Sequence, residues 1–529
     1  MARLPGISSS AAVGPTVVKP AFVYSGQQQA CMEAVRGGHD SLLVEALAGT
    51  GKTTTLVEMA RHIGSGVAFM VFNKSIQVEI GKKLAEHLVG SRDVRAATFH
   101  SIGFQAWVRH APAVGGNVRP EKLAVLSEKL GMPRGLRAFT KRAVGLAKQS
   151  LLDLDGPIDD QEAWMILVDH YSLRDSLPRE EEDGGEADEE QLLERALAWS
   201  VKLLRASNDI GAQLIDFDDM LYLPLRANLR LQQYPWVFID EAQDTNYARR
   251  LMAERMLSSR GRLVAVGDRH QAIYGFTGAQ ANALELIADR FGPVGRLPLT
   301  VTYRCSQAVV QLAQQFVPTL EAREGAPEGA VSEVPEKEFH KMLPTLASTD
   351  AVLCRNVRPL ASMAFGLLAR GKACKIEGRD IGESLVSLTM RFKSQTTVLR
   401  LLAALEEYLE QERERLLVSH KEYQLAILQD KVETIQVICQ NVAPTAHPSE
   451  LVRLIRSMFV DTDGLARKVL TFSTVHKAKG REWDNVYLLG RNKLMPSKYA
   501  KQEWELEQER NLIYVAVTRA RQTFTDVLF

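Results

Sequence analysis

Apolar residues along this chain follow two alternating rhythms. Between residues 24 and 107, short continuous apolar runs alternate with stretches in which apolar side chains recur every three or four positions. The runs at 42–45, 67–72 and 94–97 predict strands, and 54–62 predicts a helix directly after the first of them. From 111 to 210 the pattern is helical; strand-like runs return at 236–240 and 263–267. A second alternation starts near 296, with strands expected at 351–355 and 373–376. Residues 391–442 are helical again. There Leu401, Leu402, Leu405, Tyr408 and Leu409 share one face, and Leu425, Leu428, Val432 and Ile435 share another. Strands are expected at 469–475 and 486–489, and a helix over 512–520 closes the chain. Apolar strands interleaved with helices point to parallel sheets covered on both faces. The expected fold class is α/β, with two parallel-sheet units, each interrupted by a mainly helical insertion. No short-period repeat competes with this layout.

Composition narrows the function classes. The chain has 529 residues, 46% hydrophobic and 24% charged, which fits several globular domains. Its net charge of +1 excludes a whole-protein basic field, so any nucleic-acid site has to be a local groove. Cys31, Cys305, Cys354, Cys374 and Cys439 are scattered without a C-x-x-C pair, which argues for a reducing compartment and against a disulfide frame or zinc site. No apolar run is long enough to span a bilayer, and the first 20 residues, rich in Ser and Pro, read as a flexible tail and lack a signal-peptide core. The expected location is therefore the cytoplasm, in association with the nucleoid, with no membrane partner. The acidic run from Glu180 to Glu190 reads as a solvated loop.

The chemistry is concentrated in two strand ends. The run Ala46-Leu47-Ala48-Gly49-Thr50-Gly51-Lys52-Thr53 follows the first strand and opens the first helix. A strand turning through glycines into a helix aims backbone N–H groups and a helix N-terminus at one point, which attracts a polyphosphate. Lys52 would reach the β- and γ-phosphates, and the Thr53 hydroxyl would bind Mg²⁺. The strict pattern has Gly where Ala46 stands. Downstream, an apolar strand ends in Asp240-Glu241, suited to holding Mg²⁺ and to polarising a water. After a further strand come Gln271, whose amide could sense a γ-phosphate, and Tyr274 and Phe276, whose rings could face bases.

This series of motifs, in this order, resembles the UvrD/Rep-type helicases of superfamily 1, from the glutamines after Tyr24 to the last helix. The runs 48–53, 72–74, 98–100 and 240–244 look closest to the F-box DNA helicase and its bacterial or viral relatives, without an F-box segment. The resemblance implies two RecA-like domains: 21–110 with 211–295, split by a helical insertion at 111–210, and 296–377 with 463–529, split by a small helical insertion at 378–462. It implies ATP and Mg²⁺ as cofactors. The phosphate loop Ala48, Gly49, Thr50, Gly51, Lys52, Thr53 and Thr54 would hold ATP, with Gln28 at the adenine edge, Tyr303 stacking on adenine and Glu482 at the ribose. Thr53 and Asp240 would bind the metal. Lys52, Asp240, Glu241, Gln271, Arg304 and Arg519 would be catalytic, Arg519 as the arginine finger. Single-stranded DNA would run past Phe72, Asn73, Lys74, Thr98, Phe99, His100, Tyr274, Phe276, Arg355, Asn356 and His476.

The implied function is an ATP-dependent DNA helicase or translocase acting at single strands and at junctions with duplex, in repair, recombination or replication. Its direction by resemblance is 3′ to 5′, and protein partners would dock on the helical insertions. Two other readings remain open: a translocase that strips proteins from DNA with little unwinding, and a nucleotide-gated subunit of a larger nuclease or defence complex. Thr277 stands where the family usually has Arg, which leaves Arg269 as the nearby cation that could compensate. The second insertion is shorter than in large bacterial members.

Overall fold

Two parallel sheets organise the chain. The computed structural model describes residues 23–529 apart from 38–39, 73, 88–92, 155, 172, 178–187, 276–281, 293, 369, 419–421, 461–468 and 501. The tail at 1–20, Asn73, Phe276, Thr277 and most of the acidic run lie outside the described residues.

The first sheet contains β1 (Ser41–Ala46), β2 (Val67–Val71), β3 (Val94–Thr98), β4 (Tyr234–Ile239), β5 (Leu257–Gly267) and β6 (Val294–Leu299). Their order is β3-β2-β4-β5-β1-β6, and every pairing is parallel. All five residues of β2 are buried, as a strand covered on both faces requires. Because β4, β5 and β1 are neighbours, the loops leaving their carboxyl ends converge on one place, where open α/β sheets bind ligands. A two-strand pair, β7 (Val301–Thr302) and β8 (Glu321–Ala322), leads into the second unit. That unit holds β9 (Ala330–Pro335), β10 (Asp350–Cys354), β11 (Cys374–Glu377), β12 (Phe459–Val460), β13 (Leu470–Thr474), β14 (Trp483–Leu489) and β15 (Ala520–Leu528). They run in the order β12-β11-β13-β10-β14-β15-β9, again all parallel.

The chain end differs from expectation. The helix expected over 512–520 runs over Glu503–Val517, and the chain closes on β15. β15 buries Phe524, Thr525, Asp526 and Val527 in succession, a pattern that fits a covered strand rather than a helix face. Strands β6 and β9 carried no clear sequence signal because one contains Pro298 and the other is an edge strand with mostly exposed residues.

The insertion after β3 comprises helices including Phe99–His110, Lys122–Lys129, Arg137–Ser150, Gln161–His170, Glu189–Asp209 and Asp219–Arg226. It shares one apolar core with the first sheet, from Met70 and Ala97 to Phe139, Trp164 and Tyr222. Within it Lys122 and Lys148 meet Asp216 and Asp219 at 2.6–2.7 Å, all four side chains buried. Each charge there is paired, which offsets the cost of taking it out of water.

The insertion after β11 comprises Arg379–Met390, Val398–Val418, Glu422–Cys439 and Pro448–Met458. Its Leu401, Leu405, Val432 and Ile435 pack with Ile376 and Phe472 of the second sheet. Asp430 accepts the N–H groups of Val357 and Arg358 at 3.3 and 3.1 Å, so this insertion caps a helix of the second unit. A further apolar cluster crosses between units, joining Leu47, Ala48 and Ile273 to Val475, Tyr514 and Val517. Among the described residues, no helix is long and apolar enough to cross a membrane.

Candidate active site

The loop after β1 owes its shape to two glycines. Gly49 and Gly51 have φ of 73° and 83°, a region that strains any residue with a side chain. A Cβ on Gly49 would collide with Thr302 Oγ1 and lie 2.7 Å from Arg304 Cβ. Tyr303 N–H donates to the Gly49 carbonyl at 2.9 Å, so the loop is pressed against the segment that opens the second unit. The Thr50 hydroxyl donates back to the Leu47 carbonyl at 2.9 Å. Gly51 then serves as N-cap of helix Lys52–Ile63 with no capping side-chain bond, which leaves the first N–H groups, over Lys52, Thr53 and Thr54, facing the loop. Lys52 Nζ donates to the Ala46 carbonyl at 3.3 Å. Ala48 lies buried beneath the turn. Gln28 is buried under it as well: its amide oxygen accepts from Ser25 N–H and its amide nitrogen donates to Thr55 Oγ1 at 3.2 Å. Gln27 bonds both Thr300 N–H and Thr300 Oγ1 at 2.9 Å.

Asp240 and Glu241 stand beside Lys52. Burial and the adjacent Glu241 push Asp240 up to about 7, against the pull of Lys52. Burial also works to raise Glu241, but Lys52, Lys479, the Gln243 amide and Arg519 outweigh it and hold that carboxylate down at about 2. Two of these cations come from the second unit. Lys479 Nζ lies 3.9 Å from Glu241, 2.7 Å from Asp244 and 2.6 Å from the Gln271 carbonyl. Arg519 is 1% exposed. Its guanidinium donates to Gln271 Oε1 at 3.4 Å, to the Arg481 carbonyl at 3.1 Å and to the Val515 carbonyl at 2.9 Å. Burial and the Arg304 charge lower Arg519 to about 9, which still leaves it protonated at neutral pH. Gln271 in turn donates to Asp268 at 2.6 Å. Arg304 pairs with Glu482 and donates to the Thr518 carbonyl at 3.1 Å; Arg521 holds the other Glu482 oxygen at 2.5 Å. Tyr303 leaves 39% of its surface exposed beside them.

A second group of side chains lies on the other side of the β-strand ends. Phe72 and Tyr274 stack with centroids 5.7 Å apart and planes 10° from parallel. Arg249 covers Phe72 at 4.6 Å and Lys479 covers Tyr274 at 5.0 Å. Tyr274 also donates its hydroxyl to the His476 carbonyl at 3.1 Å. Lys74 opens helix Lys74–His87, and Thr98 caps helix Phe99–His110 by accepting from Ser101 N–H at 3.1 Å. Burial, reinforced by Arg249, lowers His100 to about 4; burial and Arg355 lower His476 to about 3. Both imidazoles are neutral at pH 7. Arg355 forks onto Glu509 at 2.9 and 3.0 Å. Arg355, Asn356 and His476 line a cavity of about 840 Å³ that reaches Lys493 and Lys498.

Comparison with known proteins fits this arrangement. Residues 26–292 match the UvrD/REP helicase N-terminal domain, and 379–525 match the UvrD-like helicase C-terminal domain. The chain belongs to the UvrD/Rep helicase family. Within that family it is similar to ATP-dependent DNA helicase UvrD2 of Mycobacterium tuberculosis, 24% identical over 92% of this chain and 76% of that protein. It is also similar to ATP-dependent DNA helicase Rep of Escherichia coli, 26% identical over 55% of this chain and 42% of Rep. F-box DNA helicase 1 of Gallus gallus is 25% identical over 90% of this chain and 46% of its own length.

One residue named from the UvrD/Rep resemblance is corrected by the fold. Phe99 is 3% exposed inside the first apolar core, so its ring has no face for a base. Sequence reasoning also passed over Lys479, Asn511 and Tyr514, although all three sit within or beside motif runs. Their signal was positional: Lys479 closes the short helix Val475–Ala478 that follows β13, and Asn511 and Tyr514 share a helical face with Gln508. The donor set suits a magnesium triphosphate. The helix N-terminus is open toward the loop, Lys52 adjoins it, and Asp240, held up at about 7 by burial and the neighbouring Glu241, is a carboxyl that a bound cation would deprotonate.

Proposed function

We propose that this protein is an ATP-dependent DNA helicase that moves 3′ to 5′ on single strands and opens junctions with duplex, in the cytoplasm and in the service of repair, recombination or replication. The observation that carries the reading is the setting of Glu241, where Lys52 of one unit and Lys479 and Arg519 of the other act on a single half-buried carboxylate. On this reading ATP lies between two RecA-like domains, 21–110 with 211–295 and 296–377 with 463–529, whose insertions are 111–210 and 378–462. Lys52 and the loop N–H groups hold the β- and γ-phosphates, with Tyr303 against the adenine and Glu482 toward the ribose. Thr53 and Asp240 would hold magnesium, which would neutralise charge on the phosphate oxygens. Glu241 orients the attacking water and takes its proton as the water oxygen bonds to the γ-phosphorus and ADP departs. Arg304, Arg519 and Gln271 stabilise the charge spread over the transferring oxygens.

Lys74, Thr98, Arg355, Asn356 and His476 would hold the strand backbone, a sequence-tolerant grip, and the Phe72–Tyr274 stack, which Arg249 and Lys479 cover, would take a base only after one of those cations swings away. The test is the steady-state ATPase rate with and without an oligothymidylate strand, titrated with salt. The expected result is strong stimulation that weakens steeply as salt rises; a rate indifferent to the strand contradicts the reading. Duplexes with 3′ or 5′ tails then fix direction. The short second insertion, with four helices among the described residues between β11 and β13, favours protein stripping as the second reading. A filament-clearance assay beside strand displacement separates the two.

A further inference from the structure

Helix Gly26–Gly37 carries three glutamines in its first turn, Gln27, Gln28 and Gln29. The run Ser25-Gly26-Gln27-Gln28 has the S-x-x-Q spacing of a reciprocal helix cap, and the structure forms that cap. Gln28 N–H donates to the Ser25 hydroxyl at 3.2 Å, and Ser25 N–H donates to Gln28 Oε1 at 3.1 Å. The other end of the amide is occupied as well, since Gln28 Nε2 donates to Thr55 Oγ1 in the helix after the phosphate loop. Gln28 is 1% exposed, and a Cβ on Gly51 would lie 3.0 Å from its amide nitrogen. The side chain expected at the adenine edge is therefore packed behind the loop turn. Gln27 is held at both ends too: Thr300 N–H donates to its Oε1 and its Nε2 donates to Thr300 Oγ1, each at 2.9 Å. Gln29 Nε2 donates to the Tyr24 carbonyl at 3.0 Å, and Gln29 N–H donates to the Ser25 carbonyl at 2.9 Å.

Reading adenine takes an amide oxygen and an amide nitrogen side by side against N6 and N7. In Gln27 and Gln28 both atoms hold the protein instead. Turning Gln28 toward a base would open the helix cap and break a buried bond to Thr55. The neighbouring carbonyls of Tyr24 and Ser25 are engaged by Gln29. Tyr303 stands apart from this network, 39% exposed and fixed against the loop by its N–H bond to the Gly49 carbonyl. A ring face stacks on any base, whatever hydrogen-bonding edge that base carries.

We propose that the nucleotide site does not read the base. It takes ATP, GTP, CTP and UTP alike, gripping the triphosphate through the loop and the base through the Tyr303 face, while Gln27 and Gln28 brace the seat. This rests on the reading above that a nucleoside triphosphate is hydrolysed between the two units. The test on the full chain measures kcat/KM for the four triphosphates at saturating oligothymidylate, beside displacement of a fluorescent ADP by ADP, GDP, CDP and UDP. ATP and GTP should fall within about tenfold of each other, and the smaller pyrimidine rings no more than about a further tenfold lower. Tyr303→Ala should raise the KM for ATP and for GTP about tenfold each, leaving their ratio unchanged. Gln28→Ala and Gln27→Ala should lower the melting temperature and move the ATP-to-GTP ratio less than about twofold. A wild-type preference for ATP over GTP beyond tenfold, in turnover or in displacement, overturns the proposal; so does a glutamine variant that shifts the ratio by more than that twofold. Should a glutamine variant fail to fold, the wild-type comparison decides alone. If the protein hydrolyses none of the four, the functional reading fails instead, and displacement still decides whether the base is read.

Discussion

The two faces of the cleft are built from opposite chemistry. The first unit presents a phosphate-shaped loop, one lysine and two carboxylates, at the carboxyl ends of β1 and β4, the strands on either side of β5. The second unit presents cations: Arg304, Lys479 and Arg519, of which Arg519 is almost wholly buried. The first face has what is needed to hold a nucleotide. It lacks the positive charge needed where negative charge spreads during γ-phosphoryl transfer. The second face has that charge but no loop to seat phosphates. Dividing the site this way makes chemistry depend on how the units sit together, which is what a motor requires.

Breaking the first face should have the largest effect. Lys52→Ala removes the one loop cation and should lower ATP turnover by about 10³-fold or more, as measured by phosphate release, while single-strand binding persists. On the second face, Lys479→Met keeps the length of the side chain but deletes the charge 3.9 Å from Glu241. Turnover at saturating ATP should drop about 100-fold. The Glu241 carboxylate, deprived of that cation, should titrate higher, moving the acid limb of the kcat profile to higher pH.

The seam between the faces can be strained without touching charge. Gly49→Ala places a Cβ at φ 73° against Thr302 and Arg304. A cost of about 1–2 kcal/mol is expected from the backbone alone, read as weaker nucleotide binding and a lower denaturation midpoint. The smallest effect concerns His100, whose burial holds it neutral down to about 4. Between the unfolded value near 6.5 and 4, the unfolded chain binds more protons, so this imidazole makes stability fall as pH drops through that window. In urea denaturation His100→Asn should flatten that part of the profile and leave stability near pH 8 little changed.

The sequence revealed the two faces unequally. The first was legible because its groups lie in compact runs at the ends of strongly apolar strands, where chain order and space coincide. Lys52 stands with Asp240 and Glu241, and Gln271 meets Arg519. The second was legible only through family resemblance, since an isolated arginine such as Arg519 carries no local signature. What stayed hidden was cross-cleft. Lys479, Asn511 and Tyr514 gain meaning from partners more than 200 residues away, and no periodicity encodes a partner. Phe99 misled for the opposite reason: it stands in a motif run, yet its position at a helix start turns it into the core.

The division of labour is tested most directly by Arg519→Ala, with nucleotide affinity and single-turnover hydrolysis measured on the same preparation with saturating single strand. Nucleotide binding within about threefold of wild type, with hydrolysis slowed about 10³-fold or more, is the predicted result. Lost binding with an unchanged rate at saturation would contradict it, because the guanidinium would then belong to the seat rather than to the reaction.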